Sequence, residues 1–159
     1  MRWLAPSLSF TSEEAWKARG NSTSVHLEDF LTAKDSYFSN KIKEKWNLAK
    51  QIRRVITGAL EKQRSEKIIG SSLEAHIDIY LDENNFNKLH DINFEEIAIT
   101  SSAKLHPNID HNEGFSLEDV KNVSVVVSKT SGHKCQRCWK YNDKLTNNEI
   151  CNRCYEAIS

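Results

Sequence analysis

Two closely spaced cysteine pairs near the end of the chain constrain its fold more than any other feature. Cys135 and Cys138 are separated by two residues, twelve residues follow, and Cys151 and Cys154 repeat the same spacing. Each pair can turn both sulfurs toward one point, and two such knuckles facing each other form the tetrahedral four-sulfur cage that zinc prefers. Four protein ligands leave no open coordination position. The pattern therefore predicts one structural Zn²⁺ ion, with a turn at residues 147–148 between the knuckles.

Other uses of the cysteines fit the sequence less well. Four cysteines allow three disulfide connectivities, but disulfides belong to oxidising compartments. The opening stretch MRWLAPSLSF is interrupted by Pro6, Ser7 and Ser9 and has no cleavage site, so we expect no export signal and a cytoplasmic location. A redox C-x-x-C motif would explain one pair and not both. No apolar run reaches the roughly 18 residues of a membrane span, so no membrane partner is expected.

Hydrophobic periodicity predicts mostly helix in the first part of the chain. Residues 11–14 read Thr-Ser-Glu-Glu, which fits a capping box opening a helix that ends at Gly20. A long helix is predicted from Asp35 to Lys67. Its apolar residues recur at steps of three and four, which places them on one face: Leu48, Ile52, Val55, Ile56, Ala59 and Leu60.

After Gly70 the apolar residues recur at every second position. Leu73 to Leu81 alternates apolar with polar residues, as in a strand with one buried face. Two further strands are predicted at Glu95–Thr100 and Val123–Lys129, a short helix at Asn84–His90, and a surface loop from His106 to Gly114.

These patterns give an α+β fold class with three parts. Residues 1–69 are predicted to form a partial helical bundle, residues 70–130 a small α/β junction unit with a short sheet, and residues 131–159 the Cys₄ zinc module. A chain of 159 residues is long enough for such a division.

The net charge is zero, but the charges are segregated. Lys34 to Lys67 holds ten Lys or Arg against four Asp or Glu, whereas Leu73 to Val120 holds two against eleven. The C-terminal stretch from Thr130 returns to five against three. Two basic segments separated by an acidic one are compatible with a nucleic-acid partner, and equally with ordinary solvated surfaces.

The knuckles carry residues suited to RNA. Cations beside aromatics on a rigid platform can contact phosphates and stack unpaired bases. The candidates are Lys134, Arg137, Trp139, Lys140 and Arg153. The alternative is that the arginines are merely exposed and that the aromatics, Tyr155 above all, form the small core of the module.

Several segments resemble isoleucyl-tRNA synthetases, in the same order along nearly the whole chain. RWLAPSLSFTSEEAW and SVHLEDF resemble parts of the helical domain that binds the anticodon stem. Trp46, Arg53, Glu61 and Arg64, followed by IIGSSLEA, resemble its long helix and the exit into the C-terminal junction. HKCQRCWK and ICNRCYEAI resemble the zinc module that ends the bacterial-type enzymes.

The resemblance implies a parent enzyme that charges isoleucine-specific tRNA with isoleucine, using ATP and Mg²⁺ in a catalytic domain. This chain would supply anticodon-side tRNA binding, with Arg53 and Arg64 on the RNA backbone. It shows no Rossmann domain, no HIGH or KMSKS signature and no editing domain, and it begins inside the helical bundle. We therefore expect it to be inactive alone, to be a monomer, and, as a fragment, to pair with the rest of the synthetase.

Two other functions remain open from sequence. The zinc knuckles also resemble the DNA-binding finger of formamidopyrimidine-type DNA glycosylases, although the N-terminal proline nucleophile of that family is absent from Met1-Arg2-Trp3. The other possibility is a free-standing zinc adaptor, in which the acidic middle segment contacts protein.

Overall fold

The computed structural model describes residues 1–108, 114–146 and 149–158, arranged in two compact units, Met1–Asn40 and Lys41–Ser159. The α+β class is confirmed, with helices, a small mixed sheet and a C-terminal cysteine cluster. The predicted boundaries after residues 69 and 130 stay predictions. Within the described residues, no helix is long and apolar enough to cross a membrane.

The first unit contains helix α1, Ser9–Ala18, and two short 3₁₀ turns, Val25–Leu27 and Asp35–Tyr37. The predicted capping box is wrong. Helical hydrogen bonds already run from Leu8 N–H to Leu4 O at 2.8 Å and from Ser12 N–H to Leu8 O at 2.8 Å. Because the helix begins upstream, Thr11 lies inside it and cannot serve as its cap.

A carboxylate of α1 fixes the segment that follows the helix. Glu13 accepts hydrogen bonds from the Val25 backbone N–H at 2.8 Å and from the Ser24 hydroxyl at 2.9 Å. The Val25 N–H lowers the pKa of the Glu13 carboxyl below its usual value. The 3₁₀ turn Val25–Leu27 and its N-cap Ser24 are therefore held to α1 by the Glu13 carboxylate.

The second unit is built on the long helix α2, Asn40–Ser65. It is shorter than predicted, because Asp35–Tyr37 forms a separate 3₁₀ turn. Its predicted apolar face is confirmed, with one exception among the residues named: Leu48 is only partly buried. The buried residues of that face are Ala49, Ile52, Val55, Ile56, Ala59 and Leu60.

The α2 face shares one core with a mixed sheet. Among residues 75–108 and 114–129, four strands pair in the order β2-β1-β4-β3. Strand β1 (Ala75–Leu81) runs parallel to β2 (Ser102–His106) and antiparallel to β4 (Val120–Lys129), and β3 (Phe115–Leu117) pairs with β4. The odd-numbered residues of β1 are buried and the even-numbered ones partly buried, which confirms the predicted alternation from Ala75 to Leu81. Leu73 and Glu74, predicted in the same strand, lie instead in the 3₁₀ turn Ser72–Glu74.

Two short helices connect β1 to β2. Helix α3, Glu83–Leu89, confirms the predicted short helix. Helix α4, Phe94–Ala98, replaces the strand predicted at Glu95–Thr100. The Asn93 side chain caps it by accepting from the Glu96 N–H at 3.2 Å, and Ile99 ends it in the left-handed conformation at φ 57°.

The C-terminal part contains a small hairpin, β5 (His133–Lys134) with β6 (Tyr141–Asn142), and helix α5, Asn152–Glu156. Residues 109–113 of the predicted surface loop and the predicted turn at 147–148 lie outside the described residues.

Gly58 is required by close packing between α2 and β3. A Cβ atom at this position would lie 2.6 Å from Cε1 and 2.7 Å from Cζ of the Phe115 ring. We expect Gly58→Ala to destabilise the protein by about 1–3 kcal/mol, although alanine is the better helix former, because overpacking outweighs the gain in propensity. Chemical denaturation measures the change.

Gln51→Ala is the matched control, since Gln51 is an exposed residue of the same helix. It should change the free energy of unfolding by less than about 0.5 kcal/mol. A Gly58→Ala protein as stable as the wild type would show that Phe115 does not press on α2.

Candidate metal centre and nucleic-acid groove

The four cysteines converge in the C-terminal module. The first pair follows β5 directly, while Cys151 is the N-cap of α5 and Cys154 lies inside that helix. Their sulfurs all lie within 4.8 Å of one another, and those of Cys138 and Cys151 are 3.8 Å apart. A tetrahedron with metal–sulfur bonds near 2.3 Å has sulfurs about 3.8 Å apart. The four cysteines are free thiols placed to hold a metal ion.

The thiols differ in their surroundings. Burial raises the pKa of Cys135, but backbone N–H groups of Cys138, Cys151 and Arg137 donate to its sulfur and lower the value to about 6. Burial raises the pKa of Cys138 to about 12. The backbone N–H groups thus favour the thiolate form of Cys135 and burial disfavours that of Cys138, where a bound cation would supply the stabilising charge.

Backbone hydrogen bonds fix the first knuckle. The Cys135 N–H donates to Lys140 O at 3.0 Å, and the Trp139 N–H donates to Cys135 O at 2.9 Å. This tight return forces Trp139 to φ 65°, an uncommon conformation for a bulky residue. The indole ring is left 59% exposed instead of packed in a core.

Trp139 forms one wall of an open groove of about 610 Å³. Lys134 and Tyr141 of the hairpin lie on the same wall, and the Lys134 ammonium is 5.7 Å from the Trp139 ring centre. Arg64, the segment 70–74 and Ile99 form the rest of the lining. Lys134 thus lies over an exposed aromatic ring, and Arg64 and the carboxylate Glu74 line the same groove.

Arg64 is oriented by its neighbours. Its guanidinium donates to the Ser72 hydroxyl at 3.1 Å and pairs with Glu61 one turn earlier on α2. Ser72 belongs to the 3₁₀ turn Ser72–Glu74 that leads into β1, so the end of α2 and the start of the sheet are joined at the groove.

Lys140 and Arg153 do not line the groove. They meet two carboxylates of α4: the Lys140 ammonium lies 2.8 Å from Glu96 and 3.4 Å from Glu95, and Arg153 lies 3.0 Å from Glu96. The hydrogen bond from Lys140 lowers the pKa of the Glu96 carboxyl below its usual range. We name these four residues the α4 ion-pair cluster.

The remaining predicted RNA contacts lie elsewhere. The Arg53 Nε donates to Ile97 O at 3.2 Å, so this side chain extends toward α4. Arg137 is exposed on the first knuckle and is not among the groove residues. The structure therefore brings together Arg64, Lys134 and Trp139, and separately Lys140 and Arg153.

Sequence reasoning missed the groove residues Tyr141 and Ile99, and it assigned Glu95 and Glu96 to a strand. A signal for the helix was present in the sequence. One residue, Phe94, separates Asn93 from Glu95 and Glu96, and an Asn cap followed by acidic residues in the first turn favours a helix start.

Comparisons with known proteins agree with the motifs. Residues 1–79 match the family model of the anticodon-binding domain of tRNA ligase. Isoleucine–tRNA ligase of Brucella abortus biovar 1 (strain 9-941) is 43% identical over 87% of this chain and 14% of its own length. The enzyme of Natranaerobius thermophilus is 37% identical over 99% of this chain and 18% of its own length.

This chain belongs to the isoleucine–tRNA ligase family. The predicted correspondence to the C-terminal region of the family is confirmed. The chain spans 14 to 18% of the length of these relatives. Nothing in the matches supports the DNA-glycosylase alternative.

Ser101 joins the hairpin to the rest of the second unit. Its buried hydroxyl accepts the Tyr141 N–H at 2.7 Å and donates to Leu73 O at 2.5 Å. We expect Ser101→Ala to cost about 1–3 kcal/mol, because both backbone groups lose their partner. Thermal or chemical unfolding measures the loss.

Ser128→Ala is a suitable control, because Ser128 is exposed near the end of β4. It should be close to neutral. Equal stabilities of the two variants would argue against a structural role for the Ser101 hydroxyl.

Proposed function

We propose that this chain supplies anticodon-side tRNA binding to an isoleucine–tRNA ligase. The observation that carries the proposal is the groove in which Arg64 and Lys134 lie beside the exposed Trp139 ring. It occurs in a chain whose residues 1–79 match an anticodon-binding domain of tRNA ligase. The RNA partner is isoleucine-specific tRNA, as the names of the relatives suggest.

The groove suits an unpaired nucleotide. Proteins recognise single-stranded RNA loops by stacking splayed bases on aromatic rings and holding phosphates with Lys or Arg. Trp139 is 59% exposed, Lys134 lies over its ring, and Arg64 adds a second positive charge to the lining of the same groove. One base stacked on the indole is worth about 1–3 kcal/mol.

The other candidates rank behind these three. Arg137 is exposed on the outer side of the knuckle and is free to meet backbone phosphates. Arg53, Lys140 and Arg153 bond carbonyl or carboxylate oxygens outside the groove. Arg64 is paired too, with Glu61, but it lines the same groove as Trp139.

We propose that the metal is a single structural zinc ion held by Cys135, Cys138, Cys151 and Cys154. Four thiolates complete a tetrahedron and leave no position for a reacting water. Zinc would fix the two knuckles and so the direction of Trp139. Comparable zinc modules gain about 10–16 kcal/mol from metal binding.

The chemistry of charging belongs to the parent enzyme. ATP and Mg²⁺ would bind in a catalytic domain outside this chain, and we expect the chain alone to be an inactive monomer that does not charge tRNA. The unit Met1–Asn40 exposes a series of large apolar side chains that suit packing against the rest of the synthetase. They are Trp3, Leu4, Leu8, Phe10, Leu27, Phe30, Leu31, Tyr37 and Phe38.

Zinc binding is tested by metal content and release. We expect one zinc per chain, and loss of tight binding in Cys154→Ser, because three thiolates no longer close the tetrahedron. Mass spectrometry under native conditions and a chelating dye measure content and release.

His133→Ala is the control. His133 adjoins the first knuckle and is exposed on β5, outside the cysteine cage. It should keep the full zinc content. Loss of zinc from His133→Ala, or retention in Cys154→Ser, would contradict the four-cysteine assignment.

Binding to isoleucine tRNA tests the groove. We expect Trp139→Ala to weaken binding about fivefold to a hundredfold, because a stacking contact is lost. Lys134→Ala should weaken binding and lower the slope of log affinity against log salt by about one, as expected for a lost phosphate contact. Fluorescence anisotropy over a salt series, with another tRNA and duplex DNA as competitors, measures both.

Matched controls separate the groove from the rest of the surface. Tyr155→Ala removes another exposed aromatic of the same module, and Arg54→Ala removes a cation of α2 that pairs with Asp119 at 2.9 Å. Both should bind tRNA nearly as well as the wild type. Equal losses in the controls and the groove variants would refute the proposed site, and absence of any tRNA binding would refute the function.

A further inference from the structure

The groove lies between two parts of the second unit that are stabilised differently. Arg64, the segment 70–74 and Ile99 belong to the helix-and-sheet part, whose core is apolar. Lys134, Trp139 and Tyr141 belong to the cysteine module, whose small core is formed largely by the cysteines themselves. The width of the groove therefore depends on what joins the two parts.

Among the described residues, two polar connections between these parts stand out. One is the Ser101 hydroxyl, which accepts from Tyr141 and donates to Leu73 O. The other is the α4 ion-pair cluster, in which Glu95 and Glu96 hold Lys140.

The geometry of the cluster favours a defined position over a loose surface pair. The Lys140 side chain is only 16% exposed and meets two carboxylates, and Arg153 shares one of them. Networks with restricted geometry are the surface ion pairs that contribute measurably, whereas isolated exposed pairs contribute little.

Lys140 is also the residue after Trp139. Its carbonyl accepts the Cys135 N–H at 3.0 Å and the Asn142 side-chain amide at 3.1 Å. Its backbone thus closes the knuckle while its side chain is fixed to α4. Release of the Lys140 side chain would therefore let the module move as a unit and carry the Trp139 ring with it.

We propose that Glu95 and Glu96 are positioning residues for RNA binding, which hold the cysteine module so that Trp139 and Lys134 face Arg64 across the groove. This proposal rests on the proposed tRNA-binding function. Neither carboxylate contacts RNA in it; both act through Lys140 and Arg153.

The direction in which RNA affinity changes when the carboxylates are neutralised distinguishes this role from simple electrostatic repulsion. A carboxylate near a binding site repels phosphates, so neutralising it ordinarily tightens RNA binding. A carboxylate that positions the site does the opposite, because its loss frees the module. Variants of Lys140 cannot separate these effects, since they also remove a positive charge.

The experiment compares the double variant Glu95→Gln, Glu96→Gln with Glu118→Gln, which removes an exposed carboxylate between β3 and β4. We expect the double variant to keep one zinc per chain and to bind isoleucine tRNA at least about fivefold more weakly, the low end of a lost stacking contact. Glu118→Gln should bind as well as the wild type or slightly better. Equal or tighter binding by the double variant would overturn the proposal.

Hydrogen exchange gives a second readout without RNA. The Tyr141 N–H donates to the Ser101 hydroxyl and so connects the cysteine module to the helix-and-sheet part. The Cys135 N–H instead donates to Lys140 O within the module. In the double variant, exchange at Tyr141 should accelerate while exchange at Cys135 stays unchanged. Weaker tRNA binding without faster exchange at Tyr141, or equal acceleration at both amides, would overturn the positioning role.

Failure of the proposed tRNA-binding function can be distinguished from failure of the positioning role. A wild-type chain that does not bind tRNA refutes the proposed function, and the positioning role with it. A wild-type chain that binds, with a double variant that binds equally well, refutes the positioning role alone.

Discussion

Burial of helix α2 in the same core as the sheet is the interaction on which the rest of the second unit depends. Ile52, Val55 and Ile56 have no exposed surface, and neither do Ile77 and Ile79 of β1. Each such side chain contributes about 1.5–3 kcal/mol when fully buried. The packing of α2 against β1 fixes the end of the helix relative to the start of the strand. It therefore also fixes the backbone of Arg64 relative to the turn that contains Ser72. Hydrophobic packing therefore positions the backbone of one wall of the groove, and the bonds of Arg64 to Glu61 and Ser72 orient its side chain.

The opposite wall needs a different source of rigidity. The cysteine module is too small for an apolar core, and the buried residues of its cluster are Cys135, Ile150, Cys151 and Cys154. Thiols arranged around one point replace that core, and a bound ion would couple the knuckles far more strongly than their few apolar contacts. Two hydrogen bonds hold the Trp139 backbone in its uncommon conformation: the Trp139 N–H donates to Cys135 O, and the Cys135 N–H donates to Lys140 O.

Short-range patterns predicted the parts of this protein that local physics determines. The apolar face of α2 and the alternation of β1 encode geometry directly, and both predictions are confirmed. The cysteine spacing likewise brings the four sulfurs together, while the identity of the ion stays a prediction. The capping box and the strand at Glu95–Thr100 were wrong because neighbouring residues decided the outcome. Hydrogen bonds from Leu8 and Ser12 moved the helix start upstream, and the Asn93 cap turned an apolar stretch into α4.

Only part of the candidate site could be predicted from the sequence, because local patterns do not show which distant residues the fold brings together. The cysteines and Trp139 are adjacent in the chain, so their grouping follows from spacing. Arg64 comes from a helix 70 residues before Lys134, and only the fold brings the two to one groove. Nothing in the sequence showed which cations would be bound by acidic residues and which would remain at an open surface.

That division of the cations explains the segregated charge. The acidic segment between Leu73 and Val120 pairs with both basic segments: Asp91 with Lys45 at 2.5 Å, Asp119 with Arg54 at 2.9 Å, and Glu96 with Lys140 and Arg153. These pairs reduce the positive charge of much of the surface. Lys134 and Arg64 line the groove together with Glu74, and Arg64 bonds Glu61 of its own helix and the Ser72 hydroxyl. The acidic segment is therefore compatible with the proposed tRNA binding. Its carboxylates in these pairs bind cations outside the groove, whereas Lys134 lies over the exposed Trp139 ring, where it can attract phosphate.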